Sequence, residues 1–404
     1  MLDDLQLAWR NVWRNTRRSL VTIAATSLAL FVMIVYSGLV VGYMEGLQRN
    51  ILDLELGDAQ AFAEGYREKP SLYATIEEPE AMIEQLEAAG FLVAPRLLAS
   101  GLGAGESSST GVQLIGVEVE ADRRVTRVAE QIKDGAWLEP GDQGVVIGRR
   151  VAEQLGLGIG DELVVLSQGA DGSMANEVYP VRGVLKSMAD KIDRAGVFMT
   201  HAEFRELMVL PEGVHQMILR VPADAELDGA TAQAAAAAPE GVEVSSWKQL
   251  SPMLASMLDS GQGAMQVMAI IVYLAVGIVI LNAMLMAVFE RIRELGVLKA
   301  IGFSPAKIVR LIFLETGIQT TVAIALGVLL ALPANWYMVH RGLDLSALGN
   351  VSMMGVAWDP VWRSKVELDT YLSPVLTLVV IVALAVSYPA LRAALIRPLD
   401  AIRD

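Results

Sequence analysis

Cysteine is absent from the 404 residues. That excludes a disulfide framework, a thiolate zinc site, a cysteine nucleophile and a lipidated N-terminal cysteine. Histidine is scarce. His201, His215 and His340 lie far apart and no His-Glu-x-x-His occurs, so all three read as surface or core residues. Charged residues make up 19%, against roughly 25% in average soluble domains. There is no Gly-x-x-x-x-Gly-Lys-Ser/Thr, so no P-loop of this chain cradles ATP phosphates. Gly101-x-Gly103-x-Gly105 and Gly156-x-Gly158-x-Gly160 lack the full nucleotide-loop pattern and read as turns. The acidic pairs Glu77/Glu78 and Asp161/Glu162 sit at expected helix or turn starts, where negative charge is favoured. No hydrolase or transferase constellation is visible, and no catalytic, metal or cofactor residue is expected. A net charge of −14 argues against a nucleic-acid role.

What is abundant is apolar: 53% of the residues are hydrophobic. Four stretches carry no Asp, Glu, Lys or Arg: Ser19–Met44, Ser260–Phe289, Thr316–Val339 and Thr370–Leu391, of 26, 30, 24 and 22 residues. A membrane-spanning helix needs about 20 mostly apolar residues, so four spans are expected. The first follows Arg10, Arg14, Arg17 and Arg18, yet it is too long for a signal-peptide core and lacks a cleavage site. It reads as an uncleaved anchor.

Positive charge beside the spans sets orientation. Residues 1–18, 290–310 and 392–404 together carry twelve Lys/Arg and six Asp/Glu. Residues 45–259 carry 17 positive and 35 negative charges, a net of −18, and residues 340–369 carry three and four. Both termini and the loop 290–310 are therefore expected in the cytoplasm, and the large acidic segment and the loop 340–369 outside.

The expected organisation is an interfacial helix and first span (1–46), an extracytoplasmic α/β domain (47–250), a stalk helix and second span (251–295), a cytoplasmic coupling helix and turn (296–310), a third span (311–339), an external loop (340–369), and a fourth span with a cytoplasmic tail (370–404). Leu5, Trp9, Val12 and Trp13 share a helix face suited to the headgroup level. Gly38, Gly42 and Gly46 recur every four residues, a spacing that lets backbones approach; with Gly277 and Asn282 they form the expected helix-packing or dimer set. In the outer segment, Val112–Val119, Gly144–Ile147, Leu163–Leu166, Tyr179–Leu185, Val197–Met199 and Met217–Val221 read as strands. Glu78–Ala89, Arg149–Leu155, Ala202–Met208 and Ala230–Ala238 read as helices. From Ser251-Pro252 few breakers follow until Gly296. Either one long stalk helix runs through Gly261 and Gly263 or it breaks there.

The run Glu290–Gly302, ERIRELGVLKAIG, pairs Glu290 with Glu294 and Arg291 with Leu295 at i,i+4. Leu295, Leu298 and Ile301 offer an apolar stripe, and Gly302 suits a helix C-terminus. Ser304 and Pro305 then read as the cap and first residue of the next helix. A soluble partner is expected to dock on this helix.

That run resembles the hallmark of FtsX-like ABC permeases, the type that includes MacB and LolC/LolE proteins. Leu7–Leu20 (LAWRNVWRNTRRSL), Tyr388–Arg403 (YPALRAALIRPLDAIR) and the layout of one span, a large outer domain and three spans match it too. Leu56–Tyr66 and Leu114–Leu138 look most like lipoprotein-releasing LolC/LolE permeases. The resemblance implies porter-like and Sabre-like outer parts, a bacterial inner-membrane location and a second permease subunit, identical or not. It also implies two cytoplasmic ABC ATPases that carry ATP and Mg. By the same resemblance Glu290, Arg291, Arg293, Glu294, Leu295, Gly296, Leu298, Lys299 and Gly302 couple to the ATPase by mechanotransmission, and the partners include membrane lipid and a lipoprotein or periplasmic protein. Ionisable residues are nearly missing from the spans, which argues against an ion path. Glu315, at the start of the third span, is expected to snorkel or to pack near the ATPase. Three functions stay open: lipoprotein extraction, MacB-like export through a periplasmic adaptor, and FtsX-like activation of a cell-wall hydrolase.

Overall fold

The computed structural model describes residues 2–14, 16–344, 352–353, 356–357 and 361–395. The tail beyond Leu395, with Arg397 and Arg403, lies outside them, as does most of the loop 345–360. In chain order the structure comprises α1 (Leu2–Arg14), α2 (Thr16–Ile51), β1 (Ala59–Ala63), α3 (Pro79–Ala88), β2 (Leu92–Ala104), β3 (Ser109–Val117), α4 (Val119–Val125), β4 (Ile132–Gly135), β5 (Val145–Ile147), α5 (Arg149–Leu155), β6 (Glu162–Gln168) and β7 (Met174–Leu185). It continues with α6 (Asp190–Ala195), β8 (Gly196–Thr200), α7 (His201–Met208), β9 (Gln216–Arg220), α8 (Leu227–Ala237), β10 (Val242–Ser246), α9 (Trp247–Leu250), α10 (Pro252–Phe289), α11 (Ile292–Ala300), α12 (Pro305–His340) and α13 (Leu368–Leu395). Two-residue strands pair between α12 and α13.

Two compact units divide the chain near Gly46 and Asp259. The helical unit holds four helices long and apolar enough to cross a membrane: Thr16–Gly46 within α2, then α10, α12 and α13. Its core joins Leu30, Met33 and Ile34 of α2, Ile280 and Met284 of α10, Ala331 of α12, and Leu378 and Val382 of α13. Helix α10 runs unbroken through Gly261 and Gly263 for 38 residues, about 57 Å at 1.5 Å per residue. Val267, Ile270, Ile271, Leu274 and Ile278 of α10 stay exposed within the chain, as befits a helix facing lipid or another subunit.

The other unit is a mixed α/β domain. Its strands follow the order β10-β1-β9-β2-β3-β8-β5-β7-β4, and β6 pairs with both β2 and β7. Most pairs are antiparallel; β3–β8 and β5–β7 are parallel. Alternation sends Val112, Leu114, Val197 and Met199 into a core with α3, α5, α7 and α8. Ile115, Val117 and Phe198 face the other way, against Trp137, Leu138 and Ile192. Arg96 on β2 donates from Nε and Nη2 to Asp122 Oδ1 at 2.9 and 2.6 Å, and Thr126 Oγ1 donates to Asp122 Oδ2 at 2.8 Å. This buried bridge fastens α4 to β2 with its polar atoms paired, as burial demands.

The glycines read as turns divide. Gly101 and Gly103 lie inside β2, where a Cβ at Gly101 would stand 2.8 Å from the Leu166 carbonyl oxygen of β6. They admit a neighbouring backbone rather than turn the chain. Gly156 and Gly160 do turn it, with φ of 68° and 85°.

Candidate functional site: a buried charged cluster

Helix α10 stops at Phe289. Glu290 and Arg291 form a turn and α11 begins at Ile292, so the expected i,i+4 pairs do not lie on one continuous helix, and the short helix occupies 292–300 inside the run Glu290–Gly302. The physical cause is Arg291. It turns inward, and its Nη1 donates to Glu315 Oε2 of α12 while its Nε donates to Glu294 Oε2 at 3.2 Å. Arg14 of α1 pairs with the other oxygen of Glu294 at 2.7 Å. Asn11 of α1 donates to Glu315 Oε1 at 2.7 Å. Asp4 of α1 also meets Arg310 of α12 at 3.5 Å. Ser19 of α2 donates to the Val12 carbonyl at 2.6 Å and accepts from Gln319 of α12 at 3.3 Å. Burial alone would raise the Glu294 carboxyl; the Arg291 and Arg14 guanidiniums outweigh it and hold the group below the usual carboxylate range.

Glu315 therefore does not snorkel. Its side chain is only 9% exposed and its charge is met by Arg291, the arrangement a buried carboxylate requires. Sequence spacing missed this pair, and the partners Asn11 and Arg14 with it. The available signal was a lone acid one turn inside a span, at the end where arginines accumulate.

Two residues of the stripe expected to meet a partner, Leu295 and Leu298, turn inward, while Ile301 stays exposed. Leu295 is buried and Leu298 packs beside it against Ile308, Ile312, Val386 and Ala390. Gly296 is buried as well. The surface here includes Arg293 and Val297 of α11 and Ile301 just past its end, four residues apart, with Val297 45% and Ile301 73% exposed, beside the exposed Glu294 and Ala300. Glu290 is exposed in the preceding turn. Lys299 donates to the Ala394 carbonyl at 2.6 Å and so caps the last turn of α13.

The end of α11 is a Schellman motif. Gly302 N–H donates to Lys299 C=O and Phe303 N–H to Leu298 C=O, both at 3.0 Å. Gly302 has φ of 107°, a conformation that favours glycine. Ser304 then caps α12 by accepting from Lys307 N at 3.4 Å. Together α11 is clamped to α1, α12 and α13 at once, so displacing it displaces them.

The expected packing glycines also part company. A Cβ on Gly42 would stand 2.1 Å from the Arg363 carbonyl oxygen, and one on Gly38 would stand 2.3 Å from Ser364 Oγ. Lys365 N–H donates to Gly38 C=O at 3.1 Å. Gly42 admits an extended segment of the same chain, and Gly38 admits that segment together with Thr370 of α13 and Asn335 of α12. Gly46 has nothing within 4 Å, Gly277 makes an ordinary contact with Ile381, and Asn282 is exposed. Among the described residues no group of His, Cys, Asp and Glu could hold a metal ion.

Two family models match. The MacB-like periplasmic core domain covers residues 19–237 and the FtsX-like permease C-terminal region covers residues 266–398. The chain belongs to the FtsX-like ABC permeases with a MacB-like periplasmic core, and is a multi-pass inner-membrane transport subunit. Among curated proteins it is similar to the lipoprotein-releasing system transmembrane protein LolC of Neisseria meningitidis serogroup B, 25% identical over 333 residues, covering 77% of this chain and 76% of that protein. The LolC of Xylella fastidiosa is 22% identical over 300 residues, covering 71% and 72%. Among solved structures, the periplasmic region of MacB from Actinobacillus actinomycetemcomitans aligns with TM-score 0.36 and 11% identity, covering 49% of this chain and 93% of that one. The extracellular domain of YknZ from Gram-positive bacteria gives 0.33 and 15%, covering 46% and 98%.

Proposed function

We propose that this chain, with a second permease subunit and two cytoplasmic ATPases that bind ATP and Mg, extracts lipoproteins or other lipidated substrates from the outer leaflet of the inner membrane. The observation that carries the coupling half is α11: an exposed Arg293–Val297–Ile301 face on a helix clamped by the charged cluster to α1, α12 and α13. An ATPase pressing on that face moves the helix bundle as one body. The unbroken α10 provides the stiff element for mechanotransmission. Both termini and α11 lie in the cytoplasm on this reading, in line with the arginine distribution. The LolC relatives support lipoproteins as cargo. The match to the MacB-like periplasmic core favours, as second reading, export with a periplasmic adaptor.

The test is reconstitution of the permease with the P-loop ATPase that copurifies with it. Val297→Asp with Ile301→Asp is expected to abolish permease-dependent ATP hydrolysis while membrane insertion stays normal, since both side chains are exposed. Undiminished hydrolysis would remove α11 as the docking element. Acylated proteins in the same purification support extraction; an adaptor without acylated protein moves the assignment to export.

A further inference from the structure

One face of the sheet in the α/β unit is left partly uncovered. Across the strands, Phe62 of β1, Gln216 of β9 and Arg96 of β2 stand in register, followed by Leu98 beside Ile115 and Ser100 beside Gln113 of β3. At one side this face is closed by the cluster around Ile192 of α6. At the other it is closed by Phe62 and Tyr66, with Leu98 and Leu250 against them. Between the two lies a cavity of about 920 Å³, at the upper end of ordinary ligand pockets.

Its lining is chemically unusual for this domain. Residues 45–259 carry 35 acidic side chains, yet none lines the cavity, whereas Arg67, Arg96 and Lys191 do. Arg96 is spent on Asp122. Arg67 and Lys191 are exposed and form no ion pair among the described residues. Arg67 comes from the loop after β1 and Lys191 from α6, so the two cations flank the sheet face. The floor is apolar but interrupted by amides: Gln60 and Gln216 hydrogen-bond to each other at 2.9 Å, and Gln113 is half-buried with its amide unspent. A primary amide donates and accepts, the pairing that peptide N–H and C=O groups demand on burial. An acyl chain would require an uninterrupted apolar floor.

We infer that this groove binds an extended, acidic polypeptide segment, with its backbone over Gln113, its apolar side chains against Tyr66, Leu72 and Leu98, and its carboxylates toward Arg67 and Lys191. The loop wall is held for this purpose by His215, whose Nδ1 accepts from Leu98 N–H at 3.1 Å and whose Nε2 donates to the Leu72 carbonyl at 3.0 Å. Opposite charge across such a contact selects the partner and strengthens at low salt.

The test uses the full-length permease in phosphatidylcholine nanodiscs without any ATPase, so it stands or falls apart from the ATP-coupled reading. The probes are fluorescein-labelled peptides of alternating valine and aspartate, and of alternating valine and lysine, with empty nanodiscs as blank. The aspartate peptide is expected to bind and the lysine peptide not. Arg67→Glu with Lys191→Glu is expected to weaken binding by about tenfold or more with an unchanged circular dichroism spectrum. Gln113→Leu, which leaves the charge intact, is expected to weaken it as well. Equal binding of the two peptides, or unaltered binding in the charge-reversed variant, would overturn the inference. Displacement by glycerol 3-phosphate would do so in favour of an anionic headgroup. Loss of a permease dimer in the charge-reversed variant would do so in favour of a second copy of this chain.

Discussion

Arg291 lies in the two-residue gap between α10 and α11, and its guanidinium is turned away from water toward Glu315. The two side chains are 10% and 9% exposed. Removing one member of such a pair strands the other charge, at a cost of about 3–5 kcal/mol, whereas replacing both by apolar groups of similar size is often neutral. Glu315→Leu is therefore expected to lower the thermal midpoint of the solubilised protein sharply. Arg291→Met combined with Glu315→Leu is expected to regain most of it. If the pair also transmits motion, the stable double variant still loses permease-dependent ATP hydrolysis. Recovery of both stability and hydrolysis would reduce the pair to a packing role. Glu294 matters differently. It is shared between Arg291 and Arg14 and half exposed, so its contribution to stability is small and its place is to tie α1 to α11.

At the scale of elements, one position separates close packing from open helix surface. Gly42 faces the backbone of Arg363 and Lys365 at 2.1 and 2.7 Å from a built Cβ, and Gly46, one turn on, faces nothing within 4 Å. Gly42→Ala is expected to push the 363–365 segment off α2, costing about 1–3 kcal/mol as overpacking does. Gly46→Ala is expected to be neutral or slightly stabilising through helix propensity. Thermal midpoints of the two variants check this, and equal midpoints would refute the close approach. The same scale shows why some elements were legible and others not. Helix α5 occupies the span that its sequence pattern predicts, Arg149–Leu155, because its apolar residues repeat at helical spacing before the helix-ending Gly156. The strand β2 pairs with β3, β6 and β9 yet was invisible in sequence, since Gly101 and Gly103 read as turns. Its partners, not its propensity, keep it extended.

For the molecule as a whole, stability is tied to pH through two histidines of the α/β unit, the buried His215 and the partly buried His201. Burial first, and the Arg205 guanidinium next, push His201 down to about 4. Burial likewise lowers His215, whose ring nitrogens are both committed in the neutral form. A histidine depressed in the folded state gains protons preferentially on unfolding as pH falls. Stability is thus full at neutral pH, declines below about 6.5, and continues to decline toward about 4 for His201, by on the order of 2–3 kcal/mol for that residue. Thermal unfolding of the full-length protein followed by tryptophan fluorescence should show this decline. His201→Gln should flatten part of it, and an unchanged slope in that variant would assign the acid sensitivity elsewhere.

Sequence alone determined the four apolar helices, the alternating α/β segment between the first two, the cap and helix grammar around Gly302 and Ser304, and the family. Each of these rests on local pattern: run length, periodicity of two or 3.6, and turn chemistry. Tertiary structure alone decided which side of α11 faces out, that Glu315 is answered by Arg291 and Asn11, that Gly38 and Gly42 hold a segment from far along the chain, and that an acidic domain holds a groove whose charged lining residues are all cations. These depend on residues far apart along the chain, as with Asn11 and Glu315 at 304 positions, where spacing carries no information and only packing brings the groups together.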